Sequence, residues 1–278
     1  MEPLSLLVLL VMGVVAGAIN AAVGSGSLLT LPVLMAVGLP PGVAVRTNTV
    51  GMFFSTVGSV LGYRREIAEE RAHLTPLVLT ALLGASAGAL ALLTSPAEAL
   101  DVVVPVLIVV ALVLVVLQKP LTSALRSRSE KRAERRAAVD GAEADGETPT
   151  EGSERSPLRS PALVGSIGAA SVYGGYFTAA QGVLYLGILG VFTGRSMGSV
   201  NSVKNLLSLC VNLAAAMIYV VAFFVVDAQV VWAASAAIAV GSLLGGFFGA
   251  HLAKRLPEWA LRGVIVVVAL FALVRQVL

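Results

Sequence analysis

The chain has 278 residues, of which 57% are hydrophobic and 13% charged, with a mean hydropathy of +0.91. A soluble globular chain carries about a quarter charged residues, so a water-soluble fold is excluded. The formal charge of +3 does not mark a nucleic-acid binder, because the basic residues collect between apolar runs, where orientation signals belong.

The runs are long rather than periodic, as in 99–117 and 263–274, and about 20 apolar residues match the roughly 30 Å hydrocarbon core of a bilayer. In lipid each backbone N–H and C=O must be satisfied within its own segment. The expected fold is therefore an all-α polytopic membrane protein. Met1-Glu2-Pro3 supplies no cationic leader region, so the first run is expected to be a retained helix rather than a signal peptide. The single cysteine, Cys210, rules out a disulfide framework, and the chain contains no phosphate-binding GxxxxGK[ST] loop.

In chain order the first half holds apolar segments at 4–22, 26–38, 43–62, 74–94 and 99–118. A hydrophilic stretch, 119–160, follows and holds 17 of the 35 charged residues. Its basic first part can lie along anionic headgroups, and its acidic, turn-rich second part reads as disordered. The second half holds segments at 161–178, 181–193, 198–225, 230–250 and 258–277. The chain thus divides into a first membrane repeat (1–118), a charged linker (119–160) and a second repeat (161–278). The second segment of each half is too short for a comfortable crossing and follows a glycine-rich break, the mark of a broken or re-entrant helix.

Orientation follows from the basic residues. Placing Arg64, Arg65, Arg71, the linker, Arg195, Lys254, Arg255 and Arg262 on one side gathers 16 of the 19 lysines and arginines there, and that side is cytoplasmic by the positive-inside bias. Both termini then fall outside. Five segments per half give the halves opposite orientations, the arithmetic of an inverted repeat.

The candidate site lies in two related stretches, NAAVGSGSLLTLPVLMAVGLPPGVAVRTNTVG (20–51) and GGYFTAAQGVLYLGILGVFTGRSMGSVNSVKN (174–205). At an offset of 155, Gly26 falls opposite Gln181, Ser27 opposite Gly182 and Thr47 opposite Ser202. The run Gly24-Ser25-Gly26-Ser27 after Asn20 interrupts a helix, and a helix restarting near Ser27 presents free N–H groups and its positive dipole end, which suits an anion. Thr178 to Gly182 occupies the same place in the second half, with Gln181 as an added amide. Gly84/Gly88 and Gly241/Gly245/Gly249 have the spacing of small-residue packing faces instead. Downstream come Arg46-Thr47-Asn48-Thr49 and Asn201-Ser202-Val203-Lys204-Asn205, with Asn212 two turns later. Ionisable groups inside membrane segments are expensive to bury and tend to be functional. Lys204 lies two turns inside its segment, whereas Arg46 serves equally as an interfacial anchor. Tyr173, Tyr176 and Tyr185 either donate hydrogen bonds or pack, and His73 and His251 fall at segment ends. No carboxylate sits deep in any segment, which favours a negatively charged substrate and argues against a carboxylate proton relay.

At these residues the chain resembles the sulfite exporter TauE/SafE family of membrane transporters. The likeness rests on VGSGSLLTLPVL (23–34) with VAVRTNTVG (43–51), and on VYGGYFTAAQGVLYLGILG (172–190) with VNSVKN (200–205). It covers nearly the whole chain outside the linker. The glycine cluster is diluted here by Ser25 and Ser27, and replaced by Ala179-Ala180-Gln181 in the second copy. The resemblance implies movement of small anions such as sulfite, sulfonates or organosulfur acids, without cofactor or metal.

The leading expectation is thus a secondary transporter rather than an enzyme. It binds a small anion through Asn20, Gly24, Ser25, Gly26, Ser27, Arg46, Thr47, Asn48, Tyr176, Gln181, Gly182, Asn201, Lys204 and Asn205. Its partners are the lipid bilayer and its substrate, not nucleic acid, and a homo-oligomer is compatible with such a chain. The alternatives are an anion channel or membrane scaffold, and an intramembrane hydrolase with Ser25 as nucleophile and His251 as base, which would need the two within hydrogen-bond reach.

Overall fold

A computed structural model describes residues 2–70, 74–117, 160–193 and 197–252. Among them the chain forms ten helices and no strand: α1 (Pro3–Ala22), α2 (Ser27–Ala36), α3 (Pro41–Gly62), α4 (Arg64–Glu70), α5 (Thr75–Thr94), α6 (Ala97–Leu117), α7 (Pro161–Phe177), α8 (Gln181–Thr193), α9 (Met197–Val226) and α10 (Trp232–Leu252). Four of them, α1, α3, α5 and α7, carry proline in the first two positions. There the missing N–H costs nothing and the fixed φ suits a helix start.

Helices α1, α5, α6, α9 and α10 are long and apolar enough to cross a membrane. The protein is therefore a multi-pass membrane protein. Helix α3 has 22 residues, about 33 Å, but is interrupted in hydropathy by its polar cluster. The short apolar helices α2 and α8 have 10 and 13 residues, about 15 and 20 Å, less than the hydrocarbon thickness. The loop expected at 63–73 contains the polar helix α4, which lies beside α9. The linker and the last predicted segment, 258–277, lie outside the described residues, as do Arg71, His73, Arg195 and the side chain of His251.

The packing partners come in matched sets. Helix α1 packs on α10 and α5 on α7; α10 packs on α3 and α5 on α9; α1 and α2 pack on α3, as α7 and α8 do on α9; and α3 meets α9. Small residues permit the tightest of these approaches. A Cβ on Gly241, Gly245 or Gly249 would run into the backbone of α1, and one on Gly84 or Gly88 into that of α7. These glycines serve backbone packing, as their spacing suggested.

The start of α3 and the end of α9 adjoin, because Arg46 Nε donates to the Gln229 carbonyl just beyond α9 (3.0 Å). The start of α9 and the end of α3 adjoin as well, through Asn201 Nδ2 and the Tyr63 hydroxyl (2.8 Å). The two helices therefore run antiparallel, with these contacts about 25 Å apart along α3.

Candidate functional site

The site grows from the two places where a helix stops and restarts inside the protein. Helix α1 ends at Ala22, Gly24 takes φ +80°, and α2 begins at Ser27. Helix α7 ends at Phe177, Thr178 and Ala180 take φ +51° and +59°, and α8 begins at Gln181. The two breaks touch. Gly182 N–H donates to Gly24 C=O (3.2 Å), and a Cβ on either glycine would overlap the other's backbone. Glycine is required at 24 twice over, for its left-handed backbone and for this approach.

Restarting a helix leaves its first N–H groups without intrahelical acceptors. Among the described residues the amides of Ser25, Gly26 and Ser27 in the first break, and of Ala180 and Gln181 in the second, find no hydrogen-bond acceptor. The stopped ends are satisfied by side chains, from α9 at both breaks and from α7 itself at the second. Lys204 Nζ donates to the carbonyls of Asn20 (3.2 Å) and Ala21 (3.1 Å), and Asn205 Nδ2 also donates to Ala21 (3.3 Å). At the end of α7, Tyr219 donates to Gly175 C=O and Tyr173 to Ala179 C=O, each at 2.9 Å.

Lys204 is fully buried, and among the described residues it is the only buried charged side chain. Its ammonium sits at the C-terminal, negative end of the α1 dipole. Two of its three N–H donors are used on carbonyls, so one stays free. No buried carboxylate accompanies it among the described residues.

Around the breaks the other candidates divide. Asn20 Nδ2 donates to Ser55 Oγ (3.2 Å), and Thr30 Oγ1 donates to Asn48 Oδ1 (2.5 Å), leaving Asn48 Nδ2 buried without a partner. Thr49 and Thr178 hydroxyls face each other at 3.4 Å, tying α3 to the second break. Ser25 Oγ and Gln181 Oε1 are buried and unpartnered. Asn20, Gly24, Ser25, Gly26, Ser27, Asn48, Gln181, Gly182, Lys204 and Asn205 thus gather on the two breaks and the helices that flank them.

Four expected site residues are engaged elsewhere. Arg46 and Asn201 make the contacts at the two ends of the α3–α9 pair. Thr47 Oγ1 accepts from Val231 N–H (3.1 Å) and its carbonyl accepts from Ser235 Oγ (2.8 Å), so it anchors the start of α10. Tyr176 pairs with Ser95 at the end of α5 (3.2 Å). Conversely, Thr30, Ser55 and Ser208 belong to the buried polar set and lie outside the sequence-derived list. Their only sequence signal is a hydroxyl within an apolar helix, which local bonding to the i−4 carbonyl usually explains. A groove of about 360 Å³ on α3 and α10, lined by Val50, Phe54, Trp232 and Leu243, is apolar and separate from the breaks.

Apolar helices packed around two interrupted ones, with a buried lysine against the first, define a polytopic membrane protein. The chain belongs to the sulfite exporter TauE/SafE family, whose model matches residues 9–275. It is 24% identical over 269 residues to "Probable membrane transporter protein YfcA" of Escherichia coli K12, covering 96% of this chain and 88% of that protein. It is 29% identical over 99 residues to "Probable membrane transporter protein ORF9" of Sinorhizobium sp, covering 36% and 38% respectively. No solved structure matches the chain. The family is one of transporters, not enzymes, in agreement with the leading expectation from sequence.

Proposed function

We propose that the protein exports small oxyanions, of the kind represented by sulfite, sulfonates and organosulfur acids, across the inner membrane from a site between the two breaks. The observation that carries this reading is the pairing of one buried, carboxylate-free ammonium with unpartnered N–H groups at both interruptions. An anion supplies the negative charge and the acceptors that these groups lack. A cation would meet the Lys204 charge in a medium where like charges repel strongly. The test is flux in proteoliposomes, where sulfite uptake or release saturates with concentration and is accelerated by sulfite on the opposite side. Linear, unsaturable flux would point to a channel instead.

In this reading the halves form an inverted repeat that alternates access to the site. The matched helix pairings support it, as does the offset of 155 that makes Arg46 and Asn201 equivalent positions. Each of these residues bonds to the connection that follows the other half's long helix, so each latches one end of the α3–α9 pair. Opening to one side releases one latch while the other holds. The central linker is assigned to the cytoplasm, and both termini to the outside, by the distribution of basic residues.

Cysteine labelling checks the latches. With Cys210 replaced by serine and Ser25→Cys as the buried reporter, a membrane-impermeant maleimide reacts slowly from both sides. Asn201→Ala speeds labelling from one side and Arg46→Ala from the other, each several-fold. Equal acceleration from the same side by both variants would refute the assignment.

A further inference from the structure

Part of the polar lining is of the wrong kind for a bare oxyanion. Lys204 and Asn205 both reach the end of α1, which fixes the direction in which α9 faces the first break. At about 100° per residue, Ser208 and Asn212 project between those two directions, about 6 and 12 Å further along the helix. The second break meets the same stretch of α9. The space left by the missing side chain of Gly174 is filled by Gln181 Oε1, with Val211 Cγ1 3.2 Å from where a Cβ would stand.

Three oxygens here are orphaned: Ser208 Oγ, Asn212 Oδ1 and Gln181 Oε1, on residues only 2%, 3% and 3% exposed. The serine departs from local habit. The hydroxyls of Ser59, Ser86, Ser166, Ser171, Thr49, Thr80 and Thr193 all donate to the carbonyl four residues back, and Ser208 does not. The asparagine amide is oriented by its Nδ2, which donates to Ser208 C=O (2.9 Å) and leaves Oδ1 with free lone pairs. An oxyanion offers only acceptors, so it cannot satisfy Asn212 Oδ1 or Gln181 Oε1.

We propose that the transported species is a monoanion carrying its own N–H or O–H donor. Its charged oxygens face the break amides and Lys204, and its donor faces Asn212, Gln181 and Ser208. This rests on the anion reading above and narrows it.

Sulfamate and methanesulfonate test the idea, since the two monoanions have the same number of heavy atoms and differ by NH2 against CH3. Titration calorimetry on the purified full chain, in sodium and in choline buffers, is expected to give about tenfold tighter binding of sulfamate, the size of one hydrogen bond made rather than lost. Ser208→Ala and Asn212→Ser should each shrink that ratio to about twofold or less. Thermal unfolding of each variant in detergent shows that it is folded. Equal binding of the two anions overturns the donor proposal and leaves the anion reading intact. Methanesulfonate binding restored to the sulfamate level by sodium overturns it too, by assigning the orphan oxygens to a cation. If neither anion binds folded protein, both readings fall together.

Discussion

Gly24→Ala is expected to abolish transport and to destabilise the protein by about 2–5 kcal/mol. Two independent penalties add at this residue. An alanine at φ +80° pays the left-handed cost of about 1–2 kcal/mol, and its Cβ overlaps Gly182, where overpacking costs about 1–3 kcal/mol. Comparison variants separate the two. Gly38 has φ +94° with nothing within 4 Å of a Cβ, so Gly38→Ala should pay only the conformational part and keep its flux. Gly182→Ala carries the overlap without the positive φ, so it should lose flux with a smaller stability loss. Thermal unfolding in detergent and sulfite flux in proteoliposomes measure both quantities. Normal flux in Gly24→Ala would mean that the break contact has no part in transport.

Lys204→Met is the second variant with a large expected effect, and here stability and function should part. Each of the two carbonyl bonds made by the ammonium is worth about 1.5–3 kcal/mol. Burying a charged group costs several kcal/mol, even after the protein relaxes around it. The two contributions nearly cancel, so methionine, similar in length and apolar, should leave the unfolding temperature close to wild type. Flux should nonetheless fall by at least tenfold, because the free N–H and the positive charge are both gone. Lys204→Arg keeps the charge and should retain part of the activity. Should Lys204→Met unfold the protein while Lys204→Arg transports normally, the lysine acts as the cap of α1 rather than as a substrate ligand. Full flux in a folded Lys204→Met protein would remove the residue from the site.

Much of the architecture was legible before any coordinates. The density of apolar residues compels membrane helices, since lipid leaves the backbone no other partner. The short segment expected at 181–193 coincides with α8, and the one at 26–38 differs from α2 by one residue at its start and two at its end. The breaks are readable because consecutive small and polar residues such as Gly24-Ser25-Gly26-Ser27, unlike glycines spaced four apart, do not form a packing face. Helix α4 was not expected, because Arg64–Glu70 has no apolar run and is held by its neighbours.

The site divided differently. Composition and spacing alone determined that the protein lives in a bilayer, that its helices are interrupted twice, and that one lysine stands deep in the second half without a nearby carboxylate. Tertiary structure decided the roles. It put Lys204 on the end of α1, some 180 residues away in the chain, turned Thr47 towards α10, and drew Arg46 and Asn201 to opposite ends of the α3–α9 pair. It also brought Gly24 against Gly182 and left Ser208 and Asn212 with buried, unpartnered oxygens. The physical reason is that a polar side chain inside a membrane must find a partner, and the chain specifies the need locally. Which distant backbone group answers it depends on how the helices pack.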